Sequence, residues 1–184
     1  MGISTLIKTL TADDDSSLAF VDGSASVVLD GTYDEYMFVF TDINPANDEV
    51  DFGFQCDIDG STSYALTMTT TNFWAYHDEG GTSGALTYQA GLDQSQGTAL
   101  QVLSDDTGNE NDESCSGILH LFSPASTTYV KHFHCRTQNH AFNTNTNDTF
   151  VAGYFNTTSA IDKIRFKMSS GNIDEGVIQM YGIA

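Results

Sequence analysis

Short runs of alternating apolar and polar residues fill most of the chain. In such a run every second side chain lies on the same face, which is the pattern of a half-buried β-strand. We therefore predict strands over residues 3–10, 17–21, 25–29, 35–43, 50–58, 63–69, 73–76, 117–122, 128–137 and 149–155. The run at 35–43 is apolar on both faces, which is typical of a strand in the centre of a fold.

Turn-forming pairs such as Asp22-Gly23, Asp30-Gly31 and Asp59-Gly60 separate these runs, and Asp-Gly favours tight turns between antiparallel strands. No stretch has the period of an amphipathic helix. A chain of 184 residues is long enough to bury a substantial core in one domain. The pattern predicts an all-β protein, with a single antiparallel β-sandwich domain of jelly-roll type over residues 1–184.

Two stretches have little periodicity. Residues 85–102 are predicted to form short strands and loop. Residues 104–114 contain 5 acidic side chains, among them Asp105 and Asp106. We predict a mobile, solvated surface loop for this second stretch.

The last stretch, 161–184, has the clearest pattern. Residues 163–168 alternate between an apolar row and a cationic row. The cationic row consists of Lys163, Arg165 and Lys167. A turn-prone Ser-Ser-Gly-Asn segment follows, and a second alternating run occupies 177–183. The two runs predict a closing C-terminal β-hairpin whose apolar face docks on sheets built earlier in the chain.

The charge balance excludes some partners. Acidic residues outnumber basic ones by 25 to 6, which gives a formal net charge of −19. Nucleic acids and anionic membranes attract Lys and Arg, so neither is a predicted partner. The cationic row holds 3 of the 6 basic residues. It either protects an exposed strand from aggregation, or forms an assembly interface in which Lys163, Arg165 and Lys167 meet an acidic protein surface.

Cysteine usage indicates a reducing environment. Cys56, Cys115 and Cys135 are odd in number and lack the spacing of a zinc ribbon or a disulfide framework. We predict buried, reduced thiols. The N-terminus lacks the pattern of a secretory signal, and no apolar run approaches the length of a membrane helix.

Three histidines are the best candidates for metal ligands. His132 and His134 are two residues apart, so a strand would aim both rings at one face. If a turn at 123–126 places His120 across from His132, three imidazoles could bind zinc or copper. Histidines on strands more often bond a neighbouring side chain, so we predict neither a metal site nor a cofactor.

Catalytic motifs do not emerge from the sequence. It contains no nucleophile elbow and no phosphate-binding glycine loop, and 25 acids are too many to single out a carboxylate pair. We therefore predict a protein that is not an enzyme. Trp74 and Tyr76 could stack on a sugar ring, as aromatic residues of β-sandwich lectins do, although packing in the core would explain the same residues.

The closing segment IDKIRFKMSSGNIDEGVIQMYGI resembles the C-terminal segment of small structural proteins of tailed bacteriophages, including marine and cyanobacterial phages. The shared features are the Ile-Arg-Phe strand at 164–166, the turn at 169–172, and a strand that follows Gly176 and ends in Tyr181-Gly182-Ile183. The resemblance implies a virion component with a β-sandwich or jelly-roll fold, assembled in the host cytoplasm.

Within a virion we expect this chain to decorate or cement the outer capsid surface. Its partners would then be the major capsid protein, other virion proteins and copies of itself, as a trimer or dimer. The alternative is a tail or fibre appendage that binds carbohydrate on the host surface.

Overall fold

The computed structural model describes residues 4–184, and in them it contains thirteen β-strands and no helix that could span a membrane. The strands are β1 (Ser4–Thr11), β2 (Leu18–Val21), β3 (Glu35–Pro45), β4 (Val50–Asp57), β5 (Met68–Asp78), β6 (Gly84–Tyr88), β7 (Ser95–Gly97), β8 (Gln101–Thr107), β9 (Cys115–Phe122), β10 (Lys131–His140), β11 (Asn145–Phe155), β12 (Lys163–Met168) and β13 (Ile173–Ile183). Residue 3, where the first strand was predicted to begin, lies outside the described residues.

The strands form two sheets of unequal width. The larger has nine strands in the order β1-β13-β3-β9-β10-β11-β5-β6, with the short β7 also paired to β5. The smaller has four strands in the order β2-β12-β4-β8. Neighbouring strands pair antiparallel in both sheets, for example β10 with β11 and β12 with β4. This arrangement confirms the predicted all-β antiparallel sandwich.

Phenylalanine rings join the two sheets. The ring centroid of Phe166, on β12, lies 5.1 Å from that of Phe40 and 5.4 Å from that of Phe38, both on the facing sheet. Phe52 and Phe54 of β4 complete this aromatic cluster at 6.0 and 6.3 Å from Phe166. Burying a phenylalanine fully stabilises a fold by about 1.5–3 kcal/mol, so the aromatic cluster is a principal attachment between the sheets.

Cysteine placement follows the prediction. Cys56, Cys115 and Cys135 are buried and free. Burial raises the pKa of the Cys115 thiol to about 12, which keeps it protonated at neutral pH.

The predicted closing hairpin is wrong. β12 pairs with β2 and β4 in the smaller sheet, whereas β13 pairs with β1 and β3 in the larger one. The connection at 169–172 crosses between sheets, with Gly171 at a φ of 72°. Alternation specifies which face of a strand is buried but leaves its partner open. The predicted docking of the apolar residues is correct, since Ile164, Phe166, Met168, Ile178 and Met180 are all 0% exposed.

Three shorter predictions also need correction. Residues 25–29 form a loop rather than a strand, although Val27 and Leu29 are buried as an apolar run requires. The predicted strand 73–76 is part of a longer strand, β5, which also contains residues 68–69, whereas residues 63–67 are not in a strand. Residues 104–107 belong to the buried strand β8, so the predicted mobile loop is wrong there.

Replacing Phe166 with Ala should lower the free energy of unfolding by about 3–5 kcal/mol, because it removes the ring at the centre of the aromatic cluster. Chemical denaturation followed by circular dichroism measures this loss. Tyr129→Ala is the matched control, since Tyr129 is an aromatic residue that is 74% exposed and its loss should change stability by less than about 0.5 kcal/mol. Equal effects of the two substitutions would show that the cluster does not join the sheets.

Candidate functional site

The difference in sheet width leaves part of the larger sheet uncovered. β8 is the last strand of the smaller sheet, and it packs against β10 and β11. β5 and β6 lie beyond those strands at the end of the larger sheet. The inner face of β5 therefore begins under the smaller sheet and continues past it.

Burial along β5 shows where the smaller sheet stops covering this strand. Every second residue faces inward, and Met68, Thr70 and Asn72 are at most 8% exposed. The next two inward residues, Trp74 and Tyr76, are only partly buried. Both aromatic residues that the sequence proposed for carbohydrate binding thus share one face at the edge of the core.

Trp74 and Tyr76 line a cleft of about 510 Å³. The cleft is completed by amide side chains from the β10–β11 connection and β11, by the turn between β5 and β6, and by one residue of β8. The amides belong to Asn143, Asn145 and Asn147. Asn147 is directly opposite Tyr76 across the strand pair and is 3% exposed. Aromatic faces and amide groups therefore meet at one opening.

Asp78 holds the β5–β6 wall of the cleft. Its carboxylate accepts hydrogen bonds from the backbone N–H groups of Thr82 and Ser83, each at 2.8 Å, and from the Thr82 hydroxyl. These bonds lower the pKa of Asp78 to about 2. The Tyr76 hydroxyl lies 3.2 Å from Oγ of Ser83. The carboxylate is thus ionised, and it fixes the turn against which the aromatic residues pack.

Asp106 contributes the β8 wall and belongs to an acidic cluster. One carboxylate oxygen atom from each of Asp51, Asp105 and Asp106 lies within 4.8 Å of the other two. Burial, hydrogen bonding to Asp51 and the charge of Asp106 raise the pKa of Asp105 to about 8. Burial, followed by the charge of Asp51, also raises the pKa of Asp106. Asp105 therefore holds a proton at neutral pH that an isolated carboxylate would release.

The histidines do not form the set that the sequence suggested. His120 lies across from His134 rather than His132, with ring centroids 4.6 Å apart, because β10 starts at Lys131, later than predicted. His120 hydrogen bonds to the carboxylate of Glu35, and His132 lies across from Tyr154 on the other neighbouring strand. Within residues 4–184, the side chains whose ligand atoms lie close enough together to share a metal ion are those of the acidic cluster.

The cationic row of β12 makes contacts within its own chain. Nζ of Lys163 donates to the carbonyl of Ser61 at 2.7 Å, and the Arg165 guanidinium donates to Oε1 of Gln55 at 2.8 Å. The guanidinium also lies 4.3 Å from the ring centroid of Tyr64. β12 is an interior strand, so protection of a sheet edge does not explain the row. The assembly role of Lys163, Arg165 and Lys167 stays a prediction.

The sequence analysis identified the aromatic half of the cleft and missed the polar half. Asp106 was assigned to a solvated loop, and Asp78 and the amides were not singled out. The concentration of asparagine at 143–147 is the signal that could have pointed to them, because an amide side chain both donates and accepts hydrogen bonds.

Comparison with known proteins gives little further information. Neither a protein-family model nor a curated protein matches the chain. A 2.40 Å crystal structure of a structural genomics protein of unknown function from Bacteroides ovatus is similar to part of the fold, with a TM-score of 0.30 and 6% identity. The similarity covers 54% of this chain and 44% of that one, so the chain matches less than half the length of that protein.

The acidic cluster predicts a pH dependence of stability. The pKa of Asp105 rises from 3.8 to about 8 on folding. Between these values the folded protein holds a proton that the unfolded chain releases, so stability falls as pH rises from about 4 to about 8. Asp105→Asn should reduce this decline, because the amide carries no charge to bury.

Melting temperatures measured between pH 4 and pH 9 test this dependence. Asp13→Asn is the control, since Asp13 is exposed and its substitution removes the same formal charge from the chain. If the decline is as steep in Asp105→Asn as in Asp13→Asn, the cluster does not hold the proton.

Proposed function

We propose that this chain is a carbohydrate-binding β-sandwich that serves as a tail or fibre appendage of a virion. The observation that carries the binding activity is the cleft in which Trp74 and Tyr76 lie next to Asn147 and the neighbouring amides. A sugar ring has C–H faces that pack on aromatic side chains, and hydroxyl groups at its rim that need hydrogen-bond partners. The cleft supplies both kinds of group.

Amide side chains suit sugar hydroxyls because a hydroxyl group donates one hydrogen bond and accepts others. An amide offers an acceptor and two donor hydrogens in one plane, so it can bond two adjacent hydroxyls. Asn143, Asn145 and Asn147 place such groups around Trp74 and Tyr76.

The cleft is held rigid before any ligand arrives. Asp78 fixes the β5–β6 turn, and the backbone N–H of Phe142 donates to the carbonyl of Asp106 at 3.2 Å, which ties the β10–β11 connection to β8. A site that needs little ordering on binding loses less free energy when the ligand enters. This rigidity supports recognition by the open cleft as it stands.

Charge defines the class of sugar. The residues lining the cleft include the acids Asp78 and Asp106 and no lysine, arginine or histidine, and the whole chain carries a net charge of −19. Carboxylated, sulfated or phosphorylated sugars would be repelled. We propose uncharged glycans as the ligands.

Binding without hydrolysis is the activity we propose. Glycoside hydrolysis requires a protonated carboxylic acid beside the glycosidic oxygen and a second carboxylate nearby. Of the two acids that line the cleft, Asp78 is engaged by three hydrogen bonds that fix the β5–β6 turn, and Asp106 belongs to the acidic cluster with Asp51 and Asp105. We assign both carboxyl groups to holding the walls of the cleft.

The virion setting comes from the resemblance of 161–184 to closing segments of tailed-phage structural proteins. An appendage would present its clefts in several copies, and linked sites gain apparent affinity without any new contact. Capsid decoration through Lys163, Arg165 and Lys167 has less support, because two of these side chains are engaged by their own chain.

Trp74→Ala should weaken glycan binding by a factor of about 5 or more, because stacking on an indole ring contributes on the order of 1 kcal/mol or more. A glycan array would first identify a ligand, which we expect among uncharged sugars, and calorimetry with a monovalent form would measure affinity. Phe73→Ala is the matched control, since Phe73 is the preceding residue of β5 and points to the opposite face. An array without hits, or equal losses in both variants, would refute carbohydrate binding at this cleft.

The virion role predicts a low copy number in purified particles, with the protein on the tail or at a vertex. Quantitative protein analysis combined with imaging of labelled particles measures both. Hundreds of copies spread over the head would favour capsid decoration instead, and absence from particles would refute the virion setting while leaving sugar binding open.

A further inference from the structure

The outer face of the nine-stranded sheet is unusually apolar for a surface exposed to solvent. An antiparallel sheet with one face in water normally alternates apolar inward and polar outward residues. Of the six large apolar residues that are exposed within 4–184, five point outward from this sheet. They are Leu6 on β1, Phe73 on β5, Leu86 and Tyr88 on β6, and Ile118 on β9, with exposures from 38% to 73%.

Strand register arranges outward residues in two continuous rows across the sheet. The first row consists of Val39, Ile118, Arg136, Phe150, Phe73 and Tyr88, each directly opposite the next on the neighbouring strand. The second row consists of Leu6, Tyr181, Met37, His120, His134 and Ala152. We call these two rows the outer patch.

Aromatic stacking makes the surface of the first row flat and rigid. The rings of Phe73 and Phe150 are stacked at 5.0 Å with an interplanar angle of 2°. The Arg136 guanidinium lies 4.9 Å from the centroid of the Phe150 ring, which continues the stack. A flat surface of this kind can pack against another sheet face to face.

The outer patch is nearly neutral in a strongly acidic protein. Neither row contains a carboxylate. Of the acids beside them, Asp148 accepts two hydrogen bonds of 2.8 Å from Arg136, and Glu35 bonds to His120. A third, Asp93, accepts a hydrogen bond from the hydroxyl of Tyr88 at the end of the first row. Two chains that each carry −19 repel one another across most of their surfaces. Contact between copies is therefore favoured at the outer patch, where this repulsion is weakest.

We propose that two copies of this chain associate through the outer patch, sheet against sheet, in a twofold dimer. The first row crosses six strands, or about 24 Å at about 4.8 Å per strand. With the adjoining outward residues Phe122, His132 and Tyr154, which continue this face beyond the second row, the contact surface extends over about six residues, or roughly 20 Å, along the strands. The dimer would bury on the order of 1,000 Å² in total, which is near the lower limit for a specific interface. Trp74 and Tyr76 face the other way, so both clefts stay open.

Light scattering after size-exclusion chromatography tests the dimer, with a mass twice the 19.9 kDa of one chain as the expected result. Ile118→Glu should raise the dimer dissociation constant by about a hundredfold or more, because it places an unpaired carboxylate from each copy in the interface. Phe73→Glu is a second variant at another position of the same row, in case the first does not fold. Tyr129→Glu is the control, since Tyr129 is exposed but outside the outer patch.

Salt separates this interface from one built on Lys163, Arg165 and Lys167. Added salt should strengthen a dimer formed through the outer patch, because it screens the repulsion between acidic chains, whereas it would weaken contacts between the cationic row and an acidic surface. A monomeric wild type, a dimer that survives both patch variants, or a dimer lost in Tyr129→Glu would overturn the proposal. So would a monomer whose outer patch binds a different virion protein.

Discussion

The structure depends on the unequal width of its two sheets. Four strands cannot cover nine, so the core is confined to the part of the larger sheet that the smaller one reaches. There the aromatic cluster around Phe166 fills the space between the sheets. Beyond β8 the same inward positions of β5 meet solvent, and the side chains that would otherwise be core become the wall of a cleft. One geometric mismatch thus creates both the boundary of the core and the site.

Polar groups occupy the transition between core and cleft. The Thr70 hydroxyl donates to Oε1 of Gln101 at 2.7 Å, and the amide of Asn139 donates to the carbonyl of Asp105 at 2.8 Å. Both amide atoms of Asn72 and the hydroxyl of Thr149 are buried without a hydrogen-bond partner in residues 4–184. Such groups cost about 1–3 kcal/mol each, so packing alone would favour apolar residues here. The polar residues next to Trp74 are therefore better explained by their position beside the cleft than by a contribution to the stability of the fold.

Alternation along the sequence was sufficient to predict strands, their buried faces and the aromatic pair Trp74 and Tyr76. It could not predict partners, because the same apolar row on β12 fits a hairpin with β13 or an interior place beside β4. β8 was missed since it buries the polar residues Gln101, Ser104 and Thr107 together with Val102 and Leu103, so no alternation of apolar and polar residues marks it. The cleft needs residues from three strands and two connections, and only tertiary structure brings those together.

The two faces of β5 explain how one sheet can carry two surfaces without interference. Successive residues of a strand point to opposite sides, so Phe73 belongs to the outer patch while Trp74 belongs to the cleft. A slip of one residue in the pairing of β5 with β11 would exchange these side chains and destroy both surfaces. The register is held by the core residues Met68 and Phe155, which lie opposite each other at the covered end of the two strands. Packing in the core therefore determines which aromatic residue lines the cleft and which lies on the outer patch.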